Sequence, residues 1–157
     1  EQFFWMFCDD YLELVKERAY GATSEEGQLS AVAALREAVD VLLRLFAPFI
    51  PYATEEVWSW THEGSVHTAE WPASSGSGGP VDLLPLVSDA LVGIRRAKTD
   101  AKASQKTDVV SATLHGPALL KLALDDLRAV GRIAGLTFVE ADEVALTDII
   151  LAEEASQ

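Results

Sequence analysis

The sequence predicts a mainly α protein in which a helical bundle is followed by a small β-α-β-β appendage. Apolar residues recur at helical spacing over most of residues 4–103, a pattern typical of amphipathic helices. After Lys106 the pattern changes to short runs rich in β-branched residues, which favour strands. With 157 residues, 49% of them hydrophobic, the chain can form one domain, or one domain with a small appendage.

The first half of the chain contains three predicted helices. The first covers residues 4–20 and ends at Gly21. Ser24 is a candidate N-cap for the second, because its hydroxyl can accept a backbone hydrogen bond and two glutamates follow at the positive end of the helix dipole. This helix ends at Pro48, and Pro51 opens the third. The apolar stripe of the second helix consists of Val32, Leu35, Val39, Leu42, Leu43 and Phe46.

Two connections precede the fourth helix. Residues 65–72 have weak periodicity and read as an extended segment, and residues 73–80 form a flexible loop rich in Gly and Ser. The fourth helix is expected over residues 83–103. Its inward positions are Leu84, Val87, Leu91 and Ile94.

The end of the chain reads as a separate α/β subdomain. Residues 109–114, 136–139 and 145–151 are predicted strands, and residues 119–133 are predicted to be helical. We therefore expect a bundle over residues 1–106 and a C-terminal subdomain over residues 107–157.

The N-terminal residues resemble the interior of a longer protein. Four aromatic residues fall within the first seven positions, and Glu1 precedes them without a helix-start signal. Such an apolar patch at a native terminus would aggregate or seek a partner. We expect the chain to be a piece cut from within a helix, so that the catalytic part of the parent lies outside it.

Charge is distributed unevenly along the chain. The net charge of −13 argues against nucleic-acid binding on average composition. Residues 95–106, however, carry five basic side chains against one acid. On a helix Arg95, Lys98 and Lys102 fall on one face, which could follow a phosphate backbone. The alternative is a solvated surface helix whose basic residues interact favourably with its C-terminal dipole.

The first helix allows the same two interpretations. Trp5, Tyr11, Lys16 and Arg18 could form a surface that stacks on bases and binds phosphate. Aromatic residues at helical spacing are more often core, and core packing is favoured for Tyr11, Phe4 and Phe7.

No catalytic or metal site is predicted. His62, His67 and His115 lack metal-ligand spacing. Cys8 is the single cysteine, which excludes an intramolecular disulfide and fits a reducing, cytosolic compartment. Residues 76–79 lack the Lys-Ser/Thr continuation of a phosphate loop. No apolar stretch is long enough to span a membrane.

Four segments carry a resemblance to a known family. Residues 4–16 read FWMFCDDYLELVK, residues 45–58 read LFAPFIPYATEEVW, residues 65–67 read SVH before WP at 71–72, and residues 94–102 read IRRAKTDAK. The first resembles the helix that follows the catalytic domain in valyl-tRNA synthetases, and the third is again similar to the valyl enzymes. The second is similar to a segment shared by valyl, isoleucyl and leucyl enzymes. The fourth resembles the helix that leaves the anticodon bundle.

The resemblance implies an anticodon-binding domain of class I type, from a valine–tRNA ligase that acts in protein biosynthesis. This fragment would be non-catalytic by itself and hold no cofactor, while ATP and Mg would bind in the parent's catalytic domain. Its implied partners are the anticodon stem-loop of tRNA(Val) and that catalytic domain in cis, in the cytoplasm and with no membrane. The implied tRNA-binding residues are Trp5, Asp9, Lys16, Arg18, Arg95, Arg96, Lys98 and Lys102.

Two alternatives remain open from the sequence. Many bacterial valyl enzymes end in a coiled-coil arm, whereas residues 107–157 lack heptads, which indicates a different tail or a related synthetase group. The chain could also be an acidic helical protein-interaction module that docks a partner through Phe3, Phe4 and Trp5. A small enzyme is the least favoured function.

Overall fold

A computed structural model describes residues 2–73 and 79–152, and for Gln2 and Phe3 it describes the backbone only. Within the predicted loop 73–80, residues 74–78 lie outside the described residues. The chain divides into two compact units, Glu1–Tyr20 with Gly79–Gln157 (unit 1) and Gly21–Gly78 (unit 2). The mainly α fold class with a small sheet is confirmed. The boundary predicted at residue 106 stays a prediction.

Unit 1 begins with a continuous helical run. It consists of α1 (Gln2–Trp5), a π-helical segment (Met6–Tyr11) and α2 (Leu12–Ala19). The predicted helix over residues 4–20 is therefore confirmed, with one difference: the hydrogen bonds of the π segment span five residues instead of four. The wider turn changes which side chains share a face.

Aromatic packing along this run follows the sequence prediction only in part. Phe7 is buried, and its ring stacks on Tyr11 with centroids 5.5 Å apart. Phe4 remains 37% exposed and meets Trp5 edge-on, with ring centroids 5.9 Å apart. The expectation of core packing is correct for Phe7 and wrong for Phe4.

Helix α5 (Leu83–Asp100) forms the central element of the unit 1 core. Val87, Leu91 and Ile94 are buried as predicted. The helix ends three residues before the predicted end at residue 103, and Lys102 adopts a positive φ of 56°. Because L-residues in that region cannot continue a right-handed helix, the chain turns there.

The predicted β-α-β-β order of the appendage is confirmed. Strand β1 (Val109–Gly116) leads through a 3₁₀ segment (Ala118–Ala123) into helix α6 (Leu124–Gly131), followed by β2 (Ile133–Glu140) and β3 (Ala145–Leu151). The sheet order is β2-β1-β3, with β2 parallel and β3 antiparallel to β1. The helix predicted over residues 119–133 is thus 3₁₀ in its first part and ends before β2.

One face of this sheet completes the unit 1 core. Ala112 and Leu114 of β1 are buried together with Leu120, Leu127 and Leu14 of the first helical run. Complete burial of a leucine side chain contributes about 1.5–3 kcal/mol. The apolar alternation of β1 therefore holds the sheet against the helices that carry the candidate site.

Unit 2 contains helices α3 (Glu25–Phe46) and α4 (Pro51–Ser59). The predicted N-cap is confirmed, since the Ser24 hydroxyl oxygen accepts from the Gly27 N–H at 3.0 Å. Pro51 occupies the first turn of α4 as predicted, where its missing N–H leaves no hydrogen bond unmade.

The segment after α4 differs from the extended connection that the sequence predicts. Val66–Thr68 is a 3₁₀ helix. It forms because the Glu55 carboxylate accepts from the Ser65 hydroxyl at 2.8 Å and from the Val66 N–H at 3.0 Å. This carboxylate is distant in sequence, so local periodicity does not reveal the turn.

The core of unit 2 is small. It is formed by Ala47, Trp58 and Val66, with Leu43 packed at its edge. The rest of the α3 stripe is less covered, and Val39 is 47% exposed. Part of that stripe lines a groove of about 640 Å³.

Candidate nucleic-acid interface

Arg95 joins helix α5 to the first helical run. Its guanidinium donates to the Asp10 carboxylate and to the Asp9 carbonyl oxygen, both at 3.0 Å. The Ser88 hydroxyl also donates to Asp10, at 2.7 Å. Asp10 is therefore held by two residues of α5, and the two helices lie side by side at this point.

Three predicted site residues on these two helices, Trp5, Asp9 and Arg95, are exposed. Trp5 is 59% exposed and lies about one turn before Asp9, whose side chain is also exposed. The turn of the π-helical segment takes between four and five residues, so residues four apart still lie near the same face. Trp5, Asp9 and Arg95 form what we call the helix-pair surface, which offers an aromatic ring, a carboxylate and a guanidinium.

Arg96 lies elsewhere on α5. It is highly exposed and pairs with Asp100 at 3.6 Å. It lines a shallow groove together with Leu146 and Ile149 of β3. The adjacent arginines therefore point to different sides of the helix, and the structure does not bring Arg96 to the helix-pair surface.

Lys98 contradicts the prediction of a single basic face. It is 2% exposed, and its ammonium donates to the carbonyl oxygens of Gln105 at 3.1 Å and Gly131 at 2.9 Å. Burial lowers the pKa of the ammonium below its ordinary value, with Arg132 acting in the same direction. The expectation that Lys98 shares an exposed face with Arg95 and Lys102 is wrong, because its helix face packs against the core.

Lys102 is exposed but lies past the end of α5. Lys106, in the same segment, is also exposed. Neither ammonium forms an ion pair with any residue in the described part of the chain. Among the described residues, both cations are therefore without an internal counter-charge.

The two basic residues of α2 have different surroundings. Lys16 is exposed and pairs with Glu13 at 3.5 Å. The Nε atom of Arg18 lies 2.8 Å from Asp126 of α6, whose side chain is only 9% exposed. Burial raises the pKa of Asp126, while Arg18 opposes that shift. Arg18 is thus engaged inside unit 1, whereas Lys16 faces solvent.

Sequence reasoning missed four participants. The sequence alone assigns no role to Asp10, Ser88 or Gln105, and it includes Lys106 only as one of the basic residues of segment 95–106. Asp10 and Ser88 are recognisable only through a contact between segments far apart in sequence. The one available signal was the density of basic residues around Lys106.

The described residues contain no group of three or more His, Cys, Asp or Glu that could hold a metal ion. No helix in the described part of the chain is long and apolar enough to cross a membrane.

Comparison with known proteins gives a consistent result. A family model described as the anticodon-binding domain of tRNA ligase matches residues 1–114. The valine–tRNA ligase of Leifsonia xyli subsp. xyli is 54% identical over 161 residues, which cover 98% of this chain and 19% of that protein.

Two further relatives carry the same name. The valine–tRNA ligase of Cutibacterium acnes is 48% identical over 98% of this chain and 18% of its own length. That of Salinispora tropica is 47% identical over 96% of this chain and 20% of its own length. The chain therefore spans about a fifth of the length of these relatives, and the similarity extends into the appendage.

Proposed function

The chain belongs to the family of anticodon-binding domains of tRNA ligases, and on this premise we propose that it binds the anticodon stem-loop of tRNA(Val). It would give tRNA specificity to a valine–tRNA ligase whose catalytic domain lies outside this chain. The observation that carries the proposal is the family match, taken with the exposed helix-pair surface of Trp5, Asp9 and Arg95. The alternative of a protein-interaction module is not favoured by the comparisons.

The helix-pair surface suits an RNA loop. Loop bases are unstacked, so they can stack on an aromatic ring and present their edges. Trp5 supplies an exposed ring, and the Asp9 carboxylate can accept from the exocyclic amino group of cytosine. Arg95 already donates to the first helical run, so its contribution is mainly to hold that surface in place.

Phosphate contacts come from the exposed cations. We assign this part to Lys16, Arg96, Lys102 and Lys106, which are all exposed. Lys98 is buried and the half-buried Arg18 pairs with Asp126, so we assign both to supporting the site instead of contacting RNA. The acidity of the rest of the chain would disfavour misplaced phosphates.

The chemistry of the parent is also part of the proposal. ATP and Mg²⁺ would be used by the catalytic domain, in the cytoplasm where tRNA is charged. The described residues contain no group of three or more His, Cys, Asp or Glu that could hold a metal ion. The contribution of this domain is to position tRNA(Val) for aminoacylation at a distant site.

A binding titration tests the proposal. The 157-residue chain should bind tRNA(Val) at least about tenfold more tightly than the same tRNA with a swapped anticodon, a difference of 1.4 kcal/mol. The slope of log affinity against log salt concentration should reach a magnitude of at most about 2.8, which corresponds to four cations that each contact one phosphate of an RNA strand. Equal affinity for both tRNAs, or binding that does not change with salt, would contradict the proposal.

Matched variants locate the surface. Trp5→Ala should weaken binding by about 1–3 kcal/mol through lost stacking. Lys121→Ala is the control, because Lys121 is an exposed cation of the appendage that pairs with Glu140 at 2.9 Å. If the two variants lose the same affinity, the helix-pair surface is not the binding site.

A further inference from the structure

The segment after α5 is folded by its own backbone. The Lys102 N–H donates to the Thr99 carbonyl, the Ala103 N–H to the Lys98 carbonyl, and the Thr107 N–H to the Ser104 carbonyl, all at 2.9 Å. Residues 101–107, which we call the exit loop, therefore follow a succession of hydrogen-bonded turns.

The buried ammonium of Lys98 holds this loop in place through a hydrogen bond. Lys98 donates to the carbonyl oxygen of Gln105 in the exit loop and to that of Gly131 at the end of α6. Burying a charge is costly unless polar partners compensate. The two carbonyls supply this compensation, so the cation ties α5, the exit loop and α6 at one point.

The exposed side chain of Gln105 also holds the loop against α5. Its amide donates to the Arg95 carbonyl oxygen and to the Thr99 hydroxyl, both at 3.2 Å. The Thr99 hydroxyl itself donates to the Arg95 carbonyl at 2.9 Å. These hydrogen bonds of Gln105 connect the exit loop to the last turns of α5.

The fastened loop presents two cations to solvent. Lys102 adopts φ +56°, a backbone conformation that is unfavourable for a non-glycine residue. The Lys106 N–H donates to the Ser104 hydroxyl at 3.2 Å. The strained backbone at Lys102 persists because the surrounding hydrogen bonds determine it.

The nearby acids do not neutralise these cations. Asp100 pairs with Arg96 at 3.6 Å. Asp108 accepts from Arg132 at 2.6 Å, and this hydrogen bond lowers the pKa of the Asp108 carboxyl. Among the described residues, neither the Lys102 nor the Lys106 ammonium has an ion-pair partner, and the carboxylates on either side of them already have partners.

We propose that the exit loop is a preformed phosphate-binding loop for the tRNA backbone, with Lys102 and Lys106 as the contacts and Gln105 as the positioning residue. The inference rests on the proposed tRNA-binding function and deepens it. A loop that is ordered before binding loses little conformational entropy when the ligand binds. Its affinity is therefore higher than that of a loop that must become ordered on binding. The ligand chemistry is a phosphodiester of RNA, and free inorganic phosphate is the competing source.

The test is a double-mutant cycle on the 157-residue chain. Lys102→Ala/Lys106→Ala should reduce the magnitude of the salt slope for tRNA(Val) by about 1.4, two phosphates at 0.7 each. Gln105→Ala should weaken tRNA binding about three- to tenfold by loosening the loop. Added to Lys102→Ala/Lys106→Ala, Gln105→Ala should have no further effect, since it acts only through the two lysines.

Contrary results are distinct from a failure of the proposed function. If the unaltered chain fails to bind tRNA, the proposed function is wrong. If it binds and Gln105→Ala has no effect, or the same effect in both backgrounds, only the exit-loop inference is overturned. An unchanged salt slope in Lys102→Ala/Lys106→Ala overturns it as well.

Two additional measurements complete the test. Amide hydrogen exchange in residues 101–107 should accelerate in Gln105→Ala while exchange in the sheet stays unchanged; unchanged exchange in the loop overturns the positioning role.

Inorganic phosphate should compete weakly with tRNA. If it binds in a lysine-dependent way while tRNA affinity is indifferent to both lysines, the loop is a free-phosphate site and the RNA proposal is overturned. Lys98→Met would not isolate the loop, because Lys98 is buried and the substitution would also perturb the fold.

Discussion

The ion pair between Arg18 and Asp126 provides a quantitative test of the unit 1 architecture. Arg18 Nε lies 2.8 Å from the Asp126 carboxylate, whose side chain is 9% exposed, and the pair joins α2 to α6. Arg18→Ala would leave a buried carboxylate without its cation. Removing one partner of a buried ion pair lowers stability more than replacing both partners, because the remaining charge stays buried without compensation.

The expected loss follows from burial. Removing one partner of a fully buried pair costs 3–5 kcal/mol, and the side chain of Arg18 is 30% exposed. We therefore expect Arg18→Ala to lower the free energy of unfolding by about 3 kcal/mol at neutral pH, the lower end of that range. Urea denaturation followed by circular dichroism measures this difference.

The loss should depend on pH with a defined sign. Burial raises the pKa of Asp126 above its ordinary value of 3.8, and Arg18 lowers it, so removing Arg18 raises it further. The folded state then binds the proton more tightly than the unfolded state, and stability falls as pH rises from about 3.8 through the folded pKa. The deficit of Arg18→Ala should therefore be greatest above that pKa and shrink as the pH is lowered towards 3.8.

Two controls separate this mechanism from a simple loss of contacts. Arg18→Ala/Asp126→Ala should recover much of the stability lost in Arg18→Ala, because no buried charge remains. Arg96→Ala removes an exposed arginine that pairs with Asp100 at 3.6 Å, and it should change stability by less than about 1 kcal/mol. An equal Arg18→Ala deficit at acidic and neutral pH would refute the reasoning.

The two cores and one helix cap give further predictions. Leu127 is fully buried, so Leu127→Ala should lower the free energy of unfolding by about 2–5 kcal/mol. Leu43 only borders the unit 2 core, so Leu43→Ala should cost less than about 2 kcal/mol; equal losses in urea denaturation would contradict the assignment of the cores. Ser24→Ala removes the acceptor of the Gly27 N–H and should cost about 1 kcal/mol, and an unchanged thermal unfolding midpoint for unit 2 would argue against the cap.

The sequence predicts well those features that depend on local residues. The N-cap at Ser24, the first-turn proline at Pro51 and strand β3 (Ala145–Leu151) lie at the predicted positions. Each depends on residues within a few positions, since a cap, a proline ring or strand alternation acts over that distance. The same holds for the buried face of α5, where helical spacing identifies Val87 and Leu91.

The candidate site is predicted less completely, because the sequence of charged residues does not show whether each charged group is buried or exposed. Lys98 and Lys102 look alike in a basic run, yet one is buried against two carbonyls and the other is exposed. Arg18 and Arg95 reach Asp126 and Asp10 across large separations in sequence. Only the tertiary fold determines which cations remain exposed to an external ligand.

The discontinuity of unit 1 has a consequence for the order of events during synthesis. Leu14 of the first helical run packs into the same core as Leu127, although all of unit 2 is translated between them. Domains generally fold as units while the chain emerges. Unit 2 can thus complete its contacts first, whereas the apolar first helix must wait on the ribosome for α5 and α6. Of all the described segments, residues 2–19 spend the longest time without the core that covers them.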